Sequence, residues 1–453
     1  MRVQGGRVQE LFERETAAFR EANLRSQELF ERSGGSLLGG VPMSWMMKWA
    51  GGFPLFAASA EGSTITDVDG HVYVDFCLGD TGAMTGHAPA AVADTVAAQA
   101  ARGITTMLPS EDAPVVGEAL RERFGLPLWQ MTLSATDANR FAIRFAREIT
   151  GRPRILIFNW CYHGSVDETF AVLREGSVVA RPGNVGQPVE LERTTRVVEF
   201  NDGAALEEAL RHEDVACVLA EPAMTNIGIV LPESGFHDTL RELTRRHGTI
   251  LIIDETHTLS TGYGGYTREY DLDPDMLTVG KPIGGGVPAG AFGMTHEVAE
   301  RAFAQPDADY VDTGGVGGTL AGNALSLAAM RSALTEVLTR ESYARTIPLA
   351  ERFETGVREA IERHGAPWHV TRLGSRVEYA FTPERPRTGG EAAAAHDDEL
   401  ESLLHLYALN RGIIMTPFHN MALMGPTTTR EQVDLHTTVF SEALEELYGR
   451  PEA

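Results

Sequence analysis

Between about Ala90 and Leu325, short unbroken apolar runs alternate with amphipathic stretches, and that pattern leaves few architectures open. The runs Arg154-Ile155-Leu156-Ile157-Phe158, Ala216-Cys217-Val218-Leu219-Ala220 and Thr249-Ile250-Leu251-Ile252-Ile253 have the length of strands but no polar alternation. A strand of that kind must be covered on both faces of its sheet. Amphipathic stretches such as Phe236 to His247 lie between the runs and can supply the cover. The expected fold is therefore α/β, with a mainly parallel sheet in a large domain. At 453 residues the chain exceeds one typical core, so a second domain is expected.

The flanks supply that second domain. Gln9 to Ser33 reads as a helix, followed by glycine-rich bends at Gly34-Gly35 and Gly39-Gly40 and an apolar, aromatic loop from Pro42 to Trp49. Thr64 to Asp75 reads as a hairpin turning at Asp69-Gly70. After Gly322 a helical pattern starts at Ala324 and leads into helices and strands over Arg372 to Tyr448. Pro383 to Asp398 reads as an exposed loop. The boundaries expected are 1–75 for an N-terminal segment at the active-site entrance, 76–325 for the large domain, and 326–453 for a small α+β domain that the N-terminus completes.

A formal charge of −24 argues against nucleic acid and anionic membrane as partners. No apolar run approaches the ~20 residues that span a bilayer, and Met1 to Arg32 holds no signal-peptide core. Cys77, Cys161 and Cys217 are odd in number and widely spaced, which suggests neither a disulfide framework nor a metal site. Each is expected to be a small buried residue of a cytoplasmic protein.

Of 39 basic residues only Lys48 and Lys281 are lysines. Arginine stays protonated, whereas a lysine can lose its proton and become a nucleophile. Lys281 lies between an apolar strand and a triple glycine, in Met276-Leu277-Thr278-Val279-Gly280-Lys281-Pro282-Ile283-Gly284-Gly285-Gly286. That placement marks it as a Schiff-base candidate. It is not a phosphate-binding P-loop, because Pro282 replaces the required hydroxyl and Asp275 stands where the earlier glycine belongs.

Other polar residues follow predicted strands, where open α/β sheets bind ligands. Asp254, in Asp254-Glu255-Thr256-His257, ends a buried strand and needs either a cation or several donors; a helix-capping role is the alternative. Ser134-Ala135-Thr136-Asp137-Ala138-Asn139 opens a helix and could hold a phosphate on its free N–H groups, although Ser and Thr favour any helix start. Gly314-Gly315-Val316-Gly317-Gly318-Thr319, before a helix expected from Leu320, offers a second such place. Tyr162 and His163 could stack on a flat ring or simply join an aromatic cluster.

In this order and spacing, the pieces resemble the class III aminotransferases, which are fold-type I pyridoxal-phosphate enzymes, and most of all their glutamate-1-semialdehyde aminomutase branch. The strongest stretch runs from Asp254 to Met294, with Gly264-Gly265-Tyr266, Pro274-Asp275 and Gly280-Lys281-Pro282 within it. Ser134 to Asn139, Tyr162-His163-Gly164, Glu221-Pro222 and Gly318-Thr319-Leu320-Ala321-Gly322-Asn323 add to it.

The resemblance implies a seven-stranded large domain, a pyridoxal 5'-phosphate cofactor and a homodimer with shared active sites. It implies that Lys281 forms the internal aldimine and shuttles the substrate proton, and that Asp254 keeps the ring nitrogen protonated. Tyr162 would stack on one ring face beside His163, with Thr256 on the other. Ser134, Ala135 and Thr136 would cradle the phosphate, and Thr319 would reach the phosphate of the neighbouring subunit. Glu221 and Asn226 match positions near the ring hydroxyl and the substrate. No metal is implied.

One departure bears on the substrate. The aminomutase branch carries a carboxylate-binding arginine after Gly-Gly-Val, but Gly39-Gly40-Val41 leads here to Trp45 and Met46, with methionine at the arginine's place. The run Ile414 to Asn420 also lacks arginine. His419 could assist a carboxylate acceptor or be a surface histidine, and Trp45 and Met46 could line the substrate or pack at a dimer interface. The expected activity is aminotransfer from a hydrophobic amine or a β- or ω-amino acid to a keto acid such as pyruvate. An aminomutase is the alternative.

Overall fold

Seven strands form the large sheet of the computed structural model, which describes residues 5–304 and 315–449. They are β1 (Leu128–Thr132), β2 (Arg154–Phe158), β3 (Thr195–Val198), β4 (Val215–Ala220), β5 (Ile250–Asp254), β6 (Met276–Val279) and β7 (Gly290–Met294). Their order across the sheet is β1-β7-β6-β5-β4-β2-β3. Only β7 runs antiparallel to its neighbours β6 and β1; the other pairings are parallel. The C-terminal ends of β1, β2, β4, β5 and β6 therefore share one edge. The apolar runs read from the sequence are these strands, and every residue of β4 and β5 is buried.

Helix α1 (Ala135–Thr150) covers the sheet with Ala138, Ala142, Ile143, Phe145 and Ala146, and helix α2 (Phe236–Arg246) does so with Phe236, Leu240 and Leu243. Each large aliphatic or aromatic side chain so buried contributes roughly 1.5–3 kcal/mol.

The chain divides into two compact units: Met1–Pro89, Glu341–Arg385 and Ala395–Ala453 form one, and Ala90–Arg340 with Pro386–Ala394 the other. Residues 76–89 thus lie in the smaller unit, where Phe76 stacks edge-on with Phe353 in the core. Residues 326–340 lie in the larger one, where Ala329 and Ala333 pack with Val92. The smaller unit contains an antiparallel sheet of His369–Leu373, Arg376–Ala380 and Met421–Leu423, with the helices Gly5–Ala22, Asp398–Leu409 and Arg430–Tyr448.

Three local expectations are corrected. The helix expected over Gln9 to Ser33 breaks at Asn23, whose side chain donates to the Phe19 carbonyl at 2.8 Å. Pro383 to Asp398 is not simply a loop: Gly389–Ala394 is helical, and Ala392 is buried in the large core. Of the two starts read for the next helix, Leu320 is corrected and Ala324 holds, capped by Asn323. The three cysteines are buried and unbridged. No described helix is long and apolar enough to cross a membrane.

Candidate active site

Most expected site residues of the large unit fall at the shared strand edge because they follow strand ends; Thr319 does not. Asp254 closes β5 opposite Thr278 of β6, and Ile253 lies opposite Ala220, immediately before Glu221. Lys281 sits two residues beyond β6 with φ 49°, a left-handed conformation unusual for a side-chain-bearing residue. Gly280 makes that turn possible: a Cβ there would lie 2.8 Å from the Ala135 nitrogen. Backbone of the β6 turn thus lies close to the first residue of α1.

Asp254 is buried and held by three donors. His163 Nδ1 lies 2.9 Å from Oδ2, Asn139 Nδ2 donates to the same oxygen at 2.9 Å, and the Thr256 N–H donates to Oδ1 at 3.0 Å. Asn139 is itself fixed by the Thr278 hydroxyl, 2.6 Å from its Oδ1. Burial alone would raise the Asp254 carboxyl, but His163, Thr256 and Asn139 more than offset it and bring it down to about 2. His163 responds in the opposite sense: burial works against its charge, yet Cys161 and Asp254 beside it raise it well above the ordinary histidine value.

Glu221 is equally buried and differently supplied. Its Oε2 takes the Thr225 hydroxyl, and its Oε1 has no partner among the described residues. Burial pushes its carboxyl up to about 7, against the lowering effect of His163 and Thr225. Asn226 follows in the turn closed by the paired backbones of Met224 and Val230.

Ser134 caps α1, accepting the Asp137 N–H at 3.2 Å, as expected of a helix start. The Thr136 hydroxyl accepts the Ser165 N–H at 3.0 Å. Tyr162 is half-buried, edge-on to Phe170 at 6.2 Å. Thr256 is buried, and its hydroxyl has no partner among the described residues. Thr319 is exposed in a turn closed by the Ala321 N–H and the Gly318 carbonyl; Gly314 lies outside the described residues.

Trp45, Met46 and His419 belong to the smaller unit. Trp45 packs edge-on against Phe418 at 5.2 Å, Met46 is exposed, and the Lys48 ammonium lies 5.4 Å from the Phe418 ring centre. His419 is buried rather than superficial, with Nδ1 3.4 Å from Glu378. No group of described residues could hold a metal ion.

Two contributors escaped the sequence reading. Asn139 sits among the apolar positions of α1, and a buried amide in such a face is a legible clue. His257, three residues past Asp254, places Nε2 2.7 Å from Lys281 Nζ; only its place in a polar run after a buried strand hinted at it.

The family model for class III aminotransferases matches residues 46–444. The glutamate-1-semialdehyde 2,1-aminomutase 2 of Bacillus cereus (strain AH187) is 34% identical over 439 residues, covering 94% of this chain and 96% of that protein. A glutamate-1-semialdehyde-aminomutase from Pseudomonas aeruginosa PAO1, solved in complex with PMP, is 50% identical with a TM-score of 0.96 over 98% of this chain and 99% of that one. An omega-transaminase from Sphaerobacter thermophilus is 30% identical with a TM-score of 0.84, over 93% and 97% of the two chains.

Proposed function

Since this chain belongs to the class III aminotransferase family, a family of pyridoxal-phosphate enzymes, we propose that it exchanges an amino group within one small substrate, as an aminomutase does. The observation that carries this reading is the likeness, over nearly the full length of both chains, to proteins named glutamate-1-semialdehyde aminomutases.

The residues at the strand edge fit pyridoxal phosphate. Asp254 is an anion whose Oδ1 accepts only one of the three donors, which leaves it able to take a ring N–H. Glu221 Oε1 and Thr256 Oγ1 are buried polar atoms still wanting partners, and Gly280 packs closely on Ala135 where a Cβ would crowd the start of α1. When bound, the cofactor supplies an aldehyde that joins to amines and a ring that withdraws electrons from the neighbouring carbon.

The protein's part follows from its side chains. Asp254 holds a proton at the ring nitrogen. Ser134, Ala135 and Thr136 present the N–H groups and positive dipole end of α1 to the phosphate. Tyr162 and Thr256 would hold the ring, and His163 orients Asp254. Glu221, with Asn226, meets the ring hydroxyl and the substrate. Lys281 Nζ would hold the cofactor aldehyde and, when free, would move a proton between substrate carbons. Thr319, exposed in its turn, serves the phosphate of a second copy in a homodimer. Trp45, Met46 and His419 are assigned to the substrate by family likeness.

A transaminase reading is favoured by one specific feature. Met46 stands where the aminomutase branch carries arginine, so a hydrophobic amine with a keto-acid acceptor is the substrate pair it would suit. Purified enzyme loaded with cofactor separates the two readings. An aminomutase converts its amino substrate with no added keto acid, whereas absolute dependence on added pyruvate would sink that reading and establish the transaminase. Lys281→Ala should lose the yellow absorbance of the bound aldehyde and abolish turnover in both cases.

A further inference from the structure

We infer that His257 is the proton partner of Lys281, its imidazole Nε2 taking the proton that the lysine ammonium must shed before the amine can react. The step is a simple transfer: an Nζ–H bond breaks, an Nε2–H bond forms, and a neutral amine and an imidazolium result. This deepens the function proposed above and rests on Lys281 being the residue that binds the aldehyde.

Geometry supports the pairing. The two nitrogens stand 2.7 Å apart, within hydrogen-bond reach, and an ammonium and an imidazolium that close would repel strongly. Neither partner is loosely placed. The His257 carbonyl accepts both the backbone N–H of Ser260, at 3.2 Å, and its hydroxyl, at 2.9 Å, and the imidazole is buried. Lys281 leaves β6 through a left-handed turn whose preceding glycine packs on Ala135.

The three buried carboxyls at the strand ends have partners of their own. Asp254 is taken by His163, Asn139 and Thr256. Glu255 is taken by Thr258, Tyr266 and Thr267. Glu221 holds the Thr225 hydroxyl. The base within hydrogen-bond reach of Lys281 Nζ is the His257 imidazole, at 2.7 Å.

The test uses apo-protein and follows capture of pyridoxal phosphate by absorbance from about pH 6 to about pH 10, with borohydride trapping and peptide mapping. Capture by His257→Gln and His257→Ala should be ~10-fold slower than wild type at neutral pH. Glutamine keeps a hydrogen bond but cannot take the proton, so its agreement with alanine is the diagnostic result; it also decides the matter if His257→Ala fails to fold. A wild-type capture rate retained in His257→Gln overturns the role of His257 while leaving Lys281 as the attachment point. Failure of the wild type to be trapped at Lys281 overturns both.

Discussion

The ends of β4 and β5 put two buried carboxyl groups on neighbouring strands and treat them in opposite ways. Asp254 receives three donors and stays ionised, with its carboxyl near 2. Glu221 receives the Thr225 hydroxyl, keeps one oxygen unpaired and is pushed up to about 7. Burial is common to both, so burial does not decide the charge; the number and direction of donors do. One strand end thus offers a fixed anion, and its neighbour offers a group that can give or take a proton near neutrality. Amino-group chemistry has use for both.

Removing the anion is the severest way to break this contrast. Asp254→Asn should lower kcat by ~10²–10³-fold, a loss typical for a preorganised electrostatic partner, as read from steady-state rates at saturating cofactor. Next comes His163→Ala. With one donor gone, the Asp254 carboxyl should rise and the acid limb of the rate profile should move to higher pH, while the unfolding free energy falls by ~1–3 kcal/mol for a less satisfied buried charge. A profile unmoved by that change would show that His163 does not hold Asp254 down.

Smallest in rate, Glu221→Gln should change kcat by less than ~10-fold, below the usual range for a full acid–base role. Its sharper signature is the dependence of stability on pH. A carboxyl raised from its ordinary 4.5 to about 7 contributes stability that is complete below 4.5 and fades as pH rises through about 7. Asp254, lowered from 3.8 to about 2, does the reverse: its contribution is complete above 3.8 and fades as pH falls through about 2. Melting temperatures at about pH 5 and about pH 8 should therefore diverge less in Glu221→Gln than in wild type. Equal divergence would mean that Glu221 is already ionised at the lower pH.

Much of the fold was legible in local pattern. Unbroken apolar runs marked β2, β4 and β5, and a polar residue after each run marked the reactive edge. The break at Asn23 was not legible, because the helix Leu24–Ser33 is capped from afar: Asp69, in the hairpin turn, accepts the N–H groups of Arg25 and Ser26 at 2.7 and 3.0 Å. Periodicity carries no sign of a cap 43 positions away. The helix Gly389–Ala394 was hidden for a related reason. Six residues are too few to be stable alone, and this segment is held by docking, with Gly390 N–H on Glu199 and the Arg387 carbonyl on Asn201.

Strand positions, the turn at Lys281 and the aspartate closing β5 were written in neighbouring residues, because apolar run length and strand-end polarity act over a few positions. The charge each group carries was not. The donors that keep Asp254 ionised come from 115 positions away in Asn139 and 91 in His163, and the nitrogen facing Lys281 comes from 24 away in His257. Protonation depends on distance in space between groups that only folding brings together.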